Sequence, residues 1–124
     1  MRISLLIASG LAILLAIAHS YLGEHYILVR LFRRTDLPKL LGGVAFTKQT
    51  LRFAWHITSI AWLGLASLIV VLAWSPDGSQ LMQARIISGV FAVSGAVALA
   101  ESRGRHLSWL AFFAIAALVW FGYP

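Results

Sequence analysis

Four histidines, two glutamates and two aspartates carry nearly all the acid–base and metal-ligating capacity of this 124-residue chain, which has no cysteine. Missing thiols remove thiolate catalysis, dithiol redox chemistry, cysteine-type zinc sites and iron–sulfur clusters. Asp36 and Asp77 sit among loop-forming residues and need no special chemistry. His19, Glu24, His25, His56, Glu101 and His106 differ, because each lies in or at the edge of a long apolar run. Ionisable groups so placed are costly and usually face a bundle interior or a water-filled cavity.

Imidazole and carboxylate groups from several helices are the usual materials of a metal site inside a helix bundle. His19, Glu24, His56, Glu101 and His106 are the candidate ligands, and zinc or iron suits such a donor set best. Only Met1 and Met82 could add sulfur, which disfavours a Cu(I) site. Glu24 would act as ligand or as the catalytic base for a metal-bound water, so the expected activity is redox or hydrolytic, on a lipid-soluble substrate. Arg52, Arg103 and Arg105 would hold an anionic lipid or a polar substrate head. One alternative is a haem b protein, with His19 or His25 facing His56 as axial ligands. Another is a module without catalysis, either a proton or ion conduit or a small subunit of a larger complex. Each residue also has a plainer role. A lone histidine near a membrane interface is commonly hydrogen-bonded or snorkelling, and Glu101 could pair with Arg103 or Arg105.

The elements that must position these groups are written in the composition. Hydrophobic residues make up 60% of the chain and charged residues 11%, with mean hydropathy +0.88. A soluble domain carries roughly 25% charged residues, so this chain cannot coat a water-facing surface. Apolar runs over about 3–29, 50–74, 81–101 and 106–123 approach or exceed the length of a transmembrane helix. Polar segments with Pro and Gly punctuation separate them, at 30–48, at Ser75-Pro76-Asp77-Gly78-Ser79 and at Ser102-Arg103-Gly104-Arg105. Short connections imply antiparallel neighbours, so the expected fold is all-α, an integral-membrane up-down four-helix bundle forming a single domain. A cleaved signal peptide is the rival reading of the first run, with Ala16-Ile17-Ala18 as cleavage site, but the run is longer than a signal core.

Eight of the ten Lys and Arg residues fall on one side of this topology, leaving only Arg2 and Arg85 on the other. The positive-inside rule makes the basic side cytoplasmic and puts both termini outside. Trp74, Trp120 and Tyr123 form an aromatic belt on the outer side. The short basic run Arg30-Leu31-Phe32-Arg33-Arg34 flanks a span, so anionic lipid headgroups explain it better than nucleic acid. Small residues recur every four positions at Ala8, Ala12, Ala16 and Ser20, and at Ala84, Ser88, Ala92, Ala96 and Ala100. Such rows pack helices closely, within one chain or between copies in a homo-oligomer.

Folding the chain on its turns brings Glu24, His56, Glu101 and His106 to one level near the basic side. His19 lies about 7 Å deeper than Glu24 at 1.5 Å per residue. Glu24 and His25 lie about 140° and 120° around a straight helix from His19, on opposite sides, so the three cannot share one target. A kink at Gly23 would relax this. Otherwise His25, nearest the basic loop, is the one to fall outside the site.

His19-Ser20-Tyr21-Leu22-Gly23-Glu24, Leu51-Arg52-Phe53-Ala54-Trp55-His56 and Gly104-Arg105-His106 resemble a group of small bacterial four-span membrane proteins. The resemblance implies a location in the bacterial inner membrane and supplies no activity. Histidine-box repeats of membrane desaturases, a zinc-protease HExxH pair and nucleotide-binding glycine motifs are absent from the sequence.

Overall fold

The computed structural model describes residues 2–74 and 78–123. Residues 75–77 of the expected second turn lie outside the described residues. Among the described residues there are four main helices and no strand: α1 (Ile3–Leu31), α2 (Val44–Trp74), α3 (Leu81–Ser102) and α4 (Ser108–Gly122). The first three are long and apolar enough to cross a membrane, while α4 is a shorter apolar helix. At 1.5 Å per residue, α4 spans about 22 Å and α1 about 44 Å.

Neighbouring helices run antiparallel. Arg2 N–H at the start of α1 bonds Ala73 O at the end of α2 (3.1 Å), and Ser9 Oγ donates to Ala66 O further along the same pair (3.0 Å). On the other side of the bundle, Ser88 Oγ of α3 donates to Ala116 O of α4 (2.8 Å). Such side-chain bonds between helices contribute about 0.6 kcal/mol each in a lipid setting. α1 packs against both α2 and α4 and so forms the centre of the fold. α2 and α3 touch far less, and a groove of about 240 Å³ lies between them.

Small residues permit this packing. Ala8, Ala12 and Ala16 are buried in α1, continuing towards half-buried Ser20. Gly122 lies so close to Ser4 that a Cβ would overlap its side chain. In α3 the row expected at every fourth residue does not stay inside. Ala84 and Ser88 are buried, yet Ala96 and Ala100 are exposed, and Phe91 and Gly95 take the inner face. A step of four residues exceeds the 3.6 of a helical turn, so the row drifts around the helix. Leu5, Ile69, Phe91, Ile115 and Val119 fill the space between the helices.

Two boundaries differ from the sequence expectation, each for a local reason. α2 begins at Val44, within the segment expected to be loop. Thr47 in its first turn accepts Leu40 N–H (3.1 Å) and donates to Pro38 O (2.6 Å), tying the preceding loop to the helix. α4 begins at Ser108, because His106 Nδ1 accepts the Ser108 backbone N–H (3.4 Å) that starts the helix. Between them, α3 ends in a Schellman closure. Arg103 N–H bonds Ala100 O (3.2 Å) and Gly104 N–H bonds Leu99 O (3.0 Å), with positive φ at both residues.

Candidate functional site

The site grows from a fault in α1. From Gly23 to Leu28 the helix widens into a π-turn, a form that often marks functional positions. Gly23 is needed because the Trp55 indole of α2 lies directly against it, leaving no room for a Cβ. Trp55 Nε1–H donates to His19 O (3.0 Å), and its ring stacks on the His19 imidazole at 4.6 Å between centroids, 4° from parallel. Trp62, two turns further along α2, meets the same imidazole edge-on at 4.9 Å. His19 is therefore held on two sides by indoles of α2.

Five more side chains extend from it in an unbroken hydrogen-bonded line. His19 Nδ1 bonds Ser59 Oγ at 3.0 Å, and Ser20 Oγ donates to Ser59 Oγ at 2.8 Å. Ser20 Oγ also bonds His56 Nδ1 at 2.9 Å, and His56 Nε2 bonds Glu24 Oε2 at 3.1 Å. Arg52 closes the line, with Nη2 2.8 Å from Glu24 Oε1 and Nε donating to Oε2 at 3.2 Å. Arg52 also lies over the Phe32 ring. α1 thus supplies His19, Ser20 and Glu24, and α2 supplies Arg52, His56 and Ser59. Burial falls from Ser59, 4% exposed, to Arg52, whose side chain is 49% exposed.

His19 also faces a cavity of about 400 Å³ between α1, α2 and α4. Aromatic and aliphatic side chains dominate its lining, with His19, His106 and Ser108 as polar groups. His106 Nδ1 is engaged by Ser108 Oγ at 2.8 Å. A second, shallower groove of about 580 Å³ on the outer side of α1 and α2 is lined by Ser20, Glu24, His56 and Ser59 along with Tyr21 and His25.

The sequence-derived candidates accordingly divide. His19, Glu24 and His56 belong to one chain of bonds, and His106 joins His19 at the cavity. Glu101 does not come in: it is exposed at the end of α3 and makes no ion pair or hydrogen bond among the described residues. Arg103 and Arg105 are exposed beside it, and their side chains likewise pair with no described residue. His25 stacks with Tyr21 at 6.0 Å and meets Tyr26 edge-on, on the outward side of the π-turn. Among the described residues no three His, Asp or Glu side chains gather as a metal-ligating group. Two serine hydroxyls stand between His19 and His56.

Sequence reasoning missed Ser20 and Ser59 as site residues, along with the positioning roles of Trp55 and Trp62. Ser20 stood in the small-residue row, where packing explained it. The available signal was depth, since both serines fall at the level of the histidines.

A chain of this kind has two proton orders. In one, His56 Nδ1–H donates to Ser20, Ser20 to Ser59, and Ser59 to a bare His19 Nδ1, leaving Nε2–H on His19. In the other every bond reverses, His56 Nε2–H donates to the Glu24 carboxylate, and His19 Nε2 carries a lone pair. A proton gained or lost at His19 Nε2 converts one order into the other and moves charge to the His56–Glu24 pair.

Compared with known protein families, curated proteins and solved structures, the chain matches none.

Proposed function

We propose that this is a membrane protein that binds a small lipid-soluble molecule in the cavity beside His19 and exchanges a proton with it. The relay runs through Ser59, Ser20 and His56 to Glu24. In this reading the bundle sits in a bacterial inner membrane, with the Glu24–Arg52 end towards the cytoplasm and the basic 30–48 segment against anionic headgroups. One observation carries it: His19 both lines the cavity and heads the chain of bonds. A packing network alone would not require an imidazole nitrogen left over at a cavity wall.

Native mass spectrometry of the protein released from lipid nanodiscs tests the binding claim. The wild type should carry a neutral small molecule at about one per chain. Ala18→Phe, which fills the cavity from α1, should lose it. A wild type without such an adduct, or an adduct unaffected by Ala18→Phe, contradicts the reading.

A second reading is a metal centre on His56 and Glu24, favoured by their 3.1 Å approach. Zinc or iron there would take further donors from water or substrate, and Glu24 would be free to act as base. Elemental analysis of the purified protein supports it if metal is stoichiometric and lost in His56→Ala. A visible Soret band would favour haem instead.

A further inference from the structure

We infer that the molecule the cavity takes is a quinone or quinol head group: a flat neutral ring with an oxygen at each end. This rests on the binding reading given above and names its ligand class.

Charge is the first constraint. Among the described residues, no Asp, Glu, Lys or Arg lines the cavity. A carboxylate or phosphate would enter without a counter-charge, at high desolvation cost, and a quaternary ammonium, though aromatic faces attract it, would leave the Nε2 atoms of both histidines without a partner. The ligand is therefore neutral. Shape is the second. Trp55, Trp62, Tyr26 and Phe112 line the space, and they supply the ring faces and edges on which a flat ring packs. A volume of about 400 Å³ suits one substituted ring with the start of a tail.

Hydrogen bonding is the third constraint and the most selective. His19 and His106 each have Nδ1 engaged by a serine hydroxyl, Ser59 and Ser108 respectively. Neither Nε2 has a partner among the described residues, and both residues line the same cavity, His19 from α1 and His106 from the turn before α4. Two imidazole nitrogens at separate places on one aromatic-walled cavity match a molecule with two separated oxygens. A neutral imidazole presents either N–H or a lone pair at Nε2. His19, whose Nδ1 partner is a hydroxyl, can thus donate to the carbonyl of a quinone or accept from the hydroxyl of a quinol, while His106, whose Nδ1 accepts the Ser108 N–H, carries its proton on Nε2 and donates. A hydrocarbon tail would leave along the apolar side chains of α1, Leu15, Leu22 and Ile27, that complete the lining.

The test uses the 124-residue chain in quinone-free nanodiscs, with decylubiquinone as probe and quenching of tryptophan fluorescence as readout. Decylbenzene, with the same tail and no oxygens, and a sterol, the alternative neutral ring lipid, do not quench indole themselves, so their affinities are read by competition against decylubiquinone. Saturable quenching by decylubiquinone is expected. It should weaken about tenfold in His19→Gln and several-fold in His106→Gln, each having lost one hydrogen bond to the ligand. His106 is exposed in the turn before α4, and glutamine keeps a side-chain acceptor for the Ser108 N–H there, so this variant disturbs the bundle less than His19→Gln. Non-saturable quenching overturns the inference, as does equal affinity for decylbenzene or the sterol, or a His106→Gln variant of wild-type affinity. Failure here with an intact neutral-adduct result for wild type against Ala18→Phe removes the quinone assignment and leaves the binding reading. Failure of that adduct result removes the reading itself.

Discussion

Gly23→Ala probes the contact that holds His19 in place. A Cβ at this position would fall within the Trp55 indole, against Nε1, Cε2 and Cζ2. Either Trp55 turns away or α1 and α2 separate. Turning away loses the Nε1–H bond to His19 O, about 1 kcal/mol. It also loses the parallel stack on the His19 ring, about 0.5–1.5 kcal/mol. Separation instead incurs the usual overpacking cost of about 1–3 kcal/mol. Alanine's better helix propensity recovers up to about 1 kcal/mol. The net expectation is a loss of about 1 kcal/mol. Reversible unfolding in mixed micelles would measure it, with Trp55→Phe and the double variant completing a cycle. Phenylalanine lacks the indole atoms that collide, so Gly23→Ala should cost much less in the Trp55→Phe background than alone. A neutral Gly23→Ala, or strict additivity of the two changes, would refute the argument.

Arg52→Gln should cost under about 1 kcal/mol, because the pair it breaks is about half exposed on the arginine side; an unfolding titration checks this. Ser88→Ala removes one buried bond from α3 to Ala116 O and should cost about 0.6–1 kcal/mol in the same assay. In the loop after α1, the Arg34 guanidinium holds the Asp36 carboxyl below the usual carboxylate range, with backbone hydrogen bonding helping. That interaction is fully present above the ordinary aspartate range and fades as pH falls through the depressed value. Carboxyl NMR of Asp36 should show the depression in wild type and its loss in Arg34→Gln.

How far the sequence revealed this arrangement depends on which coordinate is asked for. Axial level was legible, because each turn reflects the chain and each residue advances 1.5 Å. That arithmetic places Glu24 beside His56, and the two are hydrogen-bonded at 3.1 Å. Azimuth was not legible to the same degree. Glu101 sits at a compatible level, yet its side chain is exposed, since a rotation of 100° per residue turns a small error in helix phase into the wrong face. The 120–140° separations around α1 nevertheless anticipated that His19, Glu24 and His25 would not share one target: His19 faces the cavity, while Glu24 and His25 line the second groove. Gly23 hinted at a departure from regular helix. The hint could not say whether the result would be a kink, an end or a π-turn, because that choice depends on Trp55 of another helix. The serines were invisible for a different reason: a hydroxyl in an apolar helix serves packing and hydrogen bonding with the same few atoms.

Nitrogen-15 NMR of histidine-labelled protein, without any ligand, tests most directly whether His19 and Glu24 share one hydrogen-bonded line. Glu24→Gln alters the group at one end, and the Nδ1 and Nε2 shifts of His19 report the proton order at the other. The account predicts that His19 shifts in Glu24→Gln and that Ser20→Ala abolishes this response while His56 still responds. A His19 signal indifferent to Glu24→Gln, or one that responds equally with Ser20 removed, would contradict it.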